Sequence, residues 1–398
     1  MWSHPSKSRR IPRCSRPFDT RRDHASASAV SAVRGYNPRM SSTPKSHSRR
    51  AAFALGTALI ASLTACQEAP EPSGNAGSTE SALTTCMVAN SGQLQDRSFN
   101  QAVYESLQAA KQKWGYEVRA TVSQSPADYV TNLTAMANAG CNYIVTVGWE
   151  LADATKDAAA QNPEIAYSIV DETVEGENIL SIIHDVSEPA YLAGYLAAGM
   201  TKTGVVGTFG GGFQPPVTRF MDGFQGGVEK YNEVHGTSVR LIGWDRETQR
   251  GSFTDDFTNA ATARTVTEGL ISQGADVIMP VAAQAGEGAV TAAQANGNVA
   301  IVWVDSDGYF GLAESARPFI LTTVEKHMQP AILEAIENVA NDRFQGGTWV
   351  GTLENEGVGL APFHDWDEKV PAELKAEIDD LRGKIAAGEI TVETPSRP

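Results

Sequence analysis

Three features of the amino-acid sequence predict an α/β protein built as two doubly wound parallel-sheet lobes. From Thr84 to Val186 short β-rich runs alternate with helical stretches, and at Gly204 a second series of the same kind begins. The β run Cys141 to Val147 has the continuous apolar character of a strand covered on both faces. The segments Ala139-Gly140-Cys141-Asn142-Tyr143-Ile144 and Gly274-Ala275-Asp276-Val277-Ile278 repeat one pattern of glycine, polar residue and strand, so the two series have a similar build. At 398 residues the chain is long enough for two domains with cores of their own.

The first strand is the run Leu83 to Ala89, and the stretch Asn90 to Gln101 that follows is the one the chain is organised around. Gly92 turns the backbone sharply, and Ser98-Phe99-Asn100-Gln101 fits a capping box with Ser98 as N-cap and Gln101 at N3. The helix beyond buries Val103, Leu107, Ala110 and Trp114, and Gly115 stops it. Phe99 and Asn100 therefore sit in the first turn, outside the carboxyl end of a strand, where ligands collect in open α/β sheets. Taken alone, the same loop also reads as an ordinary connection with Phe99 stapled into the core. Tyr116 to Val122 is the second strand, and Ser125-Pro126 opens a helix with the buried stripe Tyr129, Leu133 and Met136. Cys141 to Val147 is the third strand, Leu151 to Ala160 a helix, Ile165 to Val170 a strand ending at Asp171, and Asn178 to His184 a fifth strand.

In the second series the expected elements are a helix Ala190 to Met200, a strand Val205 to Phe209, a helix Pro216 to Tyr231 and a strand Val239 to Trp244. A long helix, Asp255 to Gln273, leads to the strand at Val277, and Val299 to Val304 runs into Asp305-Ser306-Asp307-Gly308. Ile320 to Val324 leads to Lys326, Trp349 to Leu360 reads as late strands, and Lys369 to Ala387 as an amphipathic charged helix. We divide the folded part into a first lobe 83–203, a second lobe 204–305, segments 306–362 that cross between and complete both lobes, and a tail 363–398.

The N-terminal 65 residues carry 12 Lys+Arg and 2 Asp+Glu, whereas Cys66 onward carries 20 against 45. An acidic surface of that size repels polyphosphates and argues against nucleic acid as a partner. Asp19 to Pro44 is Ser- and Arg-rich without an apolar face, either a disordered arm or an upstream reading frame; we expect the natural start at Met40. There an export signal begins: Arg49-Arg50, an apolar run Ala51 to Ala65, then Leu63-Thr64-Ala65-Cys66, which resembles the lipobox of bacterial lipoproteins with Cys66 as the lipidated residue. Residues 66–82, rich in Pro, Gly, Ser and Glu, read as a flexible tether.

Cys86 and Cys141 remain in a chain bound for a disulfide-permissive compartment. Each heads a predicted strand, and in a sheet ordered 2-1-3 those strands are neighbours, so a bridge is possible; two buried free thiols are the alternative. His184, His235, His327 and His364 show no metal-ligand spacing, and no hydrolase or redox motif is present. The residues around Gly207 and Gly210-Gly211-Gly212 lack the Lys-Ser/Thr of a phosphate loop. Asp305 and Asp307 read as a carboxylate pair, as metal ligands or as strand-end acceptors. Neither a metal nor a cofactor is expected.

An ordered series of motifs resembles the basic membrane protein family, the lipoprotein receptors of nucleoside ABC transporters. Asp96-Arg97-Ser98-Phe99-Asn100-Gln101 is similar to its Asp-Lys-Ser-Phe-Asn-Gln signature. Tyr191-Leu192-Ala193-Gly194, Gly223-Phe224, Gly251-Ser252-Phe253-Thr254-Asp255, Val304-Asp305-Ser306-Asp307 and Thr323-Val324-Glu325-Lys326 follow in order, over roughly Thr84 to Leu360. The resemblance implies a type I periplasmic-binding-protein fold with three crossovers and a ligand in the cleft between the lobes. It implies that Phe99 and Phe253 sandwich a base, Asn100 bonds its edge, and Asp305 and Lys326 hold ribose hydroxyls, with Asp171 a further polar contact. Where the family usually has Asp after its first strand, this chain has Asn90, which leaves the preferred base open. The expected function is that of a lipid-anchored extracytoplasmic receptor that binds a nucleoside, purine by expectation, and delivers it to a permease. The alternatives are a surface sensor or carrier of another small polar ligand such as a sugar, and, less favoured, an enzyme acting on nucleosides.

Overall fold

The computed structural model describes residues 83–398; the leader, Cys66 and the tether 66–82 lie outside the described residues. Strand Thr84–Ala89 (β1) is buried from Thr85 on, and Phe99–Trp114 (α1) covers it with Val103, Leu107 and Ala110 inward before Gly115, at φ 76°, ends the helix. Glu117–Val122 (β2), Tyr129–Asn138 (α2), Tyr143–Val147 (β3), Ala152–Gln161 (α3), Ala166–Val170 (β4) and Ile179–His184 (β5) continue the alternation. All strand pairs among them are parallel. Burial of every residue of β3 and β4 is what their unbroken apolar character requires.

The chain then crosses to a second lobe. Ser187–Met200 (α4) precedes Val205–Gly210 (β6), Pro215–His235 (α5), Arg240–Ile242 (β7), a small ribbon of Trp244–Asp245 (β8) and Arg250–Gly251 (β9), Ala260–Ser272 (α6), Val277–Val281 (β10), Glu287–Asn296 (α7), Ala300–Asp305 (β11), Gly308–Gly311 (α8) and Ile320–Lys326 (β12). It returns for Met328–Ala340 (α9), packed on α1, and Gly347–Gly351 (β13), then crosses a third time for Val358–Leu360 (β14) and Ala372–Ala386 (α10). The sheets run β13-β5-β4-β3-β1-β2 and β14-β12-β11-β10-β6-β7, so β13 and β14 each complete a sheet begun earlier in the chain, at its edge. The α/β class and the two doubly wound lobes are as the sequence predicts.

The boundary between lobes is not where the sequence analysis puts it. Helix α4, assigned to a first lobe ending at 203, belongs to the second. Its core partner is α5, and the two backbones touch: a Cβ at Gly194 would meet the Phe224 carbonyl oxygen and one at Gly227 that of Tyr191. An almost wholly buried helix carries no amphipathic stripe to say which sheet it covers. The tail 363–398 also joins the second lobe, where Leu374, Ile378, Leu381 and Ile385 of α10, spaced four, three and four apart, enter the same core as α4. Burying four such aliphatic side chains stabilises the tail by roughly 1.5–3 kcal/mol each.

The described cysteines Cys86 and Cys141 are joined as a disulfide, with Cα atoms 6.0 Å apart. Cys141 lies ahead of β3 rather than at its head, and the bridge packs with Tyr129 and Leu133 on the face that α2 covers.

Candidate ligand-binding site

The carboxyl ends of β1, β3 and β4 in the first lobe face those of β10, β11 and β12 in the second, and a cavity with about 700 Å³ of atom-free space, mouth included, lies between them. Of the sequence-predicted residues, Asn90, Phe99, Asn100, Asp171, Asp305 and Lys326 all line it. Phe253 does not.

The polar end is built on Lys326, the last residue of β12, buried to 5 % exposure. Its Nζ donates to Asp171 Oδ2 at 2.5 Å and stands 3.5 Å from Asp305 Oδ1. Asp171 and Asp305 both follow or end a strand with the backbone in the left-handed region, at φ 68° and 72°. Aspartate tolerates that region better than most residues, and the turn aims two carboxylates, one per lobe, at one cation. Burial pushes the Asp305 carboxyl above the usual carboxylate range, while Lys326 and the Ser98 hydroxyl pull it back. Lys326 Nζ also lies 4.8 Å from the Phe99 ring centroid and 5.3 Å from that of Phe220. Asp307, paired with Asp305 in the sequence reading, faces elsewhere: it caps α8 and bonds His364 at 2.7 Å.

The loop before α1 is held differently from the expected capping box. Ser98 makes no side-chain cap bond. The cap is Asp96, whose carboxylate accepts from the backbone N–H groups of Ser98, Asn100 and Gln101, while Gln101 accepts from Arg97 N–H. Desolvation nevertheless raises the Asp96 carboxyl to about 6. Freed of capping, the Ser98 hydroxyl reaches across to Asp305. Asn100 Nδ2 donates to the carbonyls of Ser91 and Gln93, which fixes the amide so that its Oδ1 is the remaining group. That Oδ1, Asp171 Oδ1 and Gln284 Oε1 are buried without a hydrogen-bond partner, so the cavity presents acceptors in want of donors.

Phe253, expected at the ligand, packs half-buried beside the second-lobe core and does not line the cavity. Its backbone brackets Gly210, whose N–H donates to Ser252 O and whose carbonyl accepts from Thr254 N, and its ring stands edge-on to Phe213 and Trp244 at 5.8 and 6.0 Å. Phe257 lines the cavity from the second lobe instead. Sequence reasoning missed it because the helix was drawn from Asp255. The helix in fact begins at Ala260, capped by Asn259, and Asp256 Oδ1 gathers Thr258 N, Thr258 Oγ1 and Asn259 N into a turn that leaves Phe257 in a loop. The Asp-x-Thr-Asn run was the available signal. Gly211 makes the room: a Cβ there would come within 2.3 Å of the Phe257 ring. Trp149, Glu150 and Gln284 were also missed; they follow strands β3 and β10, and no local pattern marks them as inward.

The family model described as ABC transporter substrate-binding protein PnrA-like matches residues 83–395. The chain is 29 % identical over 357 residues to a protein of Lactococcus lactis called "ABC transporter nucleoside-binding protein BmpA", covering 84 % of this chain and 97 % of that one. It is 30 % identical to "Basic membrane protein A2" of Borrelia garinii, over 79 % of this chain and 90 % of the relative. Among solved structures it resembles an ABC transporter solute-binding protein from Aeropyrum pernix, with a TM-score of 0.70 at 23 % identity, over 79 % of this chain and 94 % of the other. A second, from Conexibacter woesei, gives 0.63 at 21 %, over 80 % and 100 %. At those identities the structures speak for the fold, which is that of periplasmic solute-binding proteins.

Proposed function

The chain belongs to the Bmp family of PnrA-like ABC transporter substrate-binding proteins, and from that premise we propose that its ligand is a nucleoside and that it is held to the membrane by a lipid on Cys66. As a member it is the extracytoplasmic solute-binding component of an ABC importer, with a permease as partner, and is not an enzyme. The observation that carries the nucleoside reading is the division of the cavity. Phe99 and Phe257 line it from opposite lobes, while Lys326, Asp171 and Asp305 form one buried polar cluster with an unpaired carboxylate oxygen. A nucleoside has the matching halves, a π-face for the rings and a diol whose hydroxyls donate to a carboxylate. The name of the Lactococcus relative supports the same ligand class.

Calorimetry of the purified protein with ribonucleosides and their free bases tests this. Nucleosides should bind and free bases bind more weakly, and Asp171→Asn should narrow that gap because it withdraws charge from the diol. Failure of every nucleoside to bind would end the proposal. For the anchor, Cys66→Ser should move the protein from the membrane fraction to the soluble one with binding unchanged; an unsubstituted protein already soluble would end that half.

A further inference from the structure

Glu150 enters the cavity from the turn after β3, and its surroundings differ from those of Asp171 and Asp305 there. Asp171 and Asp305 share Lys326, whereas no cation pairs with Glu150 among the described residues, and the charge that acts on it is that of Asp171. Its one side-chain partner among the described residues is a neutral amide: Asn90 Nδ2 donates to Oε2 at 3.0 Å, and the other donor acting on the carboxylate is Glu150's own backbone N–H. The pair is built into the backbone. Gly148 lies beneath it at φ 106°, and a Cβ at that position would stand 2.5 Å from Asn90 Nδ2 and 2.8 Å from Glu150 Oε2, so amide and carboxylate meet only over a glycine. Burial raises the Glu150 carboxyl, so the ionised form depends on donors.

Building on the nucleoside reading, we propose that Glu150 selects the base, and that it selects one whose edge carries two adjacent N–H donors, as guanine does at its ring N1 and exocyclic N2. A carboxylate is acceptor-only and takes two donors side by side as charge-assisted bonds. Adenine and cytosine place a ring acceptor beside their amine, and hypoxanthine and uracil offer one ring N–H without a neighbouring amine, so each leaves the anion short of a partner or facing a lone pair. Another unpartnered acceptor of the same cavity, Asn100 Oδ1, adds to the demand for donors. Asn90 belongs to the same device. An Asp at 90 would set a second carboxylate within hydrogen-bond distance of Glu150; the amide removes that repulsion and orients the Glu150 carboxylate, each of whose oxygens keeps a lone pair for the ligand.

The test is calorimetry with guanosine, inosine, adenosine and uridine on the unsubstituted protein and on Glu150→Gln, with unliganded melting as the check on folding. Guanosine should bind tightest, and Glu150→Gln should weaken it by roughly tenfold to a hundredfold while adenosine changes by less than about threefold. The melting temperature should stay within about 2 °C, since the isosteric amide keeps the Asn90 contact. An unsubstituted protein that prefers adenosine or uridine, or a Glu150→Gln protein that binds guanosine as before or loses all four nucleosides equally, would overturn the assignment while leaving the nucleoside reading intact. Absence of binding to all four by the unsubstituted protein would remove both.

Discussion

Ser98 in the first lobe and Asp305 in the second are joined directly: the serine hydroxyl donates to Asp305 Oδ2 across 2.5 Å, with both residues buried. Because one begins α1 and the other ends β11, the bond exists only with the cleft shut, and it draws on a carboxylate that burial has made costly to ionise. Hydrogen bonds to charged groups contribute about 1.5–3 kcal/mol, and a ligand that binds only the shut cleft draws on that contribution. Ser98→Ala should therefore weaken ligand binding by about tenfold to a hundredfold. A second interlobe contact, Arg97 to Glu287 at 3.0 Å, involves side chains 41 % and 34 % exposed, so Arg97→Ala should cost under about fivefold. Calorimetry on both variants decides: a larger loss for Arg97→Ala than for Ser98→Ala would contradict this ranking.

Moving the second aromatic wall from Phe253 to Phe257 has its own consequence. Base–aromatic stacking is worth about 1–3 kcal/mol per contact, so Phe99→Ala and Phe257→Ala should each weaken nucleoside binding roughly tenfold to a hundredfold. Phe253→Ala should leave affinity nearly unchanged and instead lower stability by about 1–2 kcal/mol, because it removes a half-buried ring packed against Trp244 and the exposed Phe213. Binding and melting measured on the three variants separate the roles. Full affinity in Phe257→Ala with a large loss in Phe253→Ala would restore the sequence reading.

What the sequence disclosed and what it hid follow one line. Alternation of β and helical runs, the unbroken apolar strands and the glycine stop at 115 are local, and they place the strands and the first-lobe loop within a few residues. Six of the seven residues expected at the ligand do line the cavity, because strand ends and helix starts are positions that local pattern can locate. The misses are decided at a distance. Ser98 gives up its cap because Asp96 competes for the same N–H groups and Asp305 arrives from 207 residues away. Helix α4 follows a partner helix that comes after it in the chain. Glu150 is distinguished by Asn90, sixty residues earlier. A single sequence states such pairs nowhere.

The Cys86–Cys141 bridge closes a loop with a sequence separation of 55. Chain entropy assigns such a crosslink about 4 kcal/mol. Alkylation of the unfolded, unreduced mature protein should leave both cysteines unlabelled, and reduction should expose both. Because the bridge lies on the α2 face, away from the cavity lining, the Cys86→Ala/Cys141→Ala protein should melt lower yet bind ligand with unchanged affinity at a temperature where it is folded. Labelling without reductant would rule the bridge out.

The last prediction concerns pH. Glu188, in the first turn of α4, accepts a hydrogen bond from Leu353 N–H in the segment crossing from β13 to β14, and burial outweighs that bond to push its carboxyl up to about 7. The unfolded chain releases this proton near the ordinary value of 4.5, whereas the folded chain keeps it until about 7. Between those values the native state holds more protons than the unfolded state, so stability falls as pH rises. The contribution is complete below about 4.5 and gone above about 7; Asp96, raised to about 6, acts with the same sign. Glu188 is only partly buried, so its share is at most about 2 kcal/mol, which for a fold of this size is about 2–5 °C in melting temperature. The ligand-free protein should therefore melt higher at pH 5 than at pH 8, and Glu188→Gln, which keeps the shape and the bond from Leu353 while removing the titration, should flatten that slope. Parallel slopes in the two proteins would mean that the crossing segment does not hold a protonated Glu188.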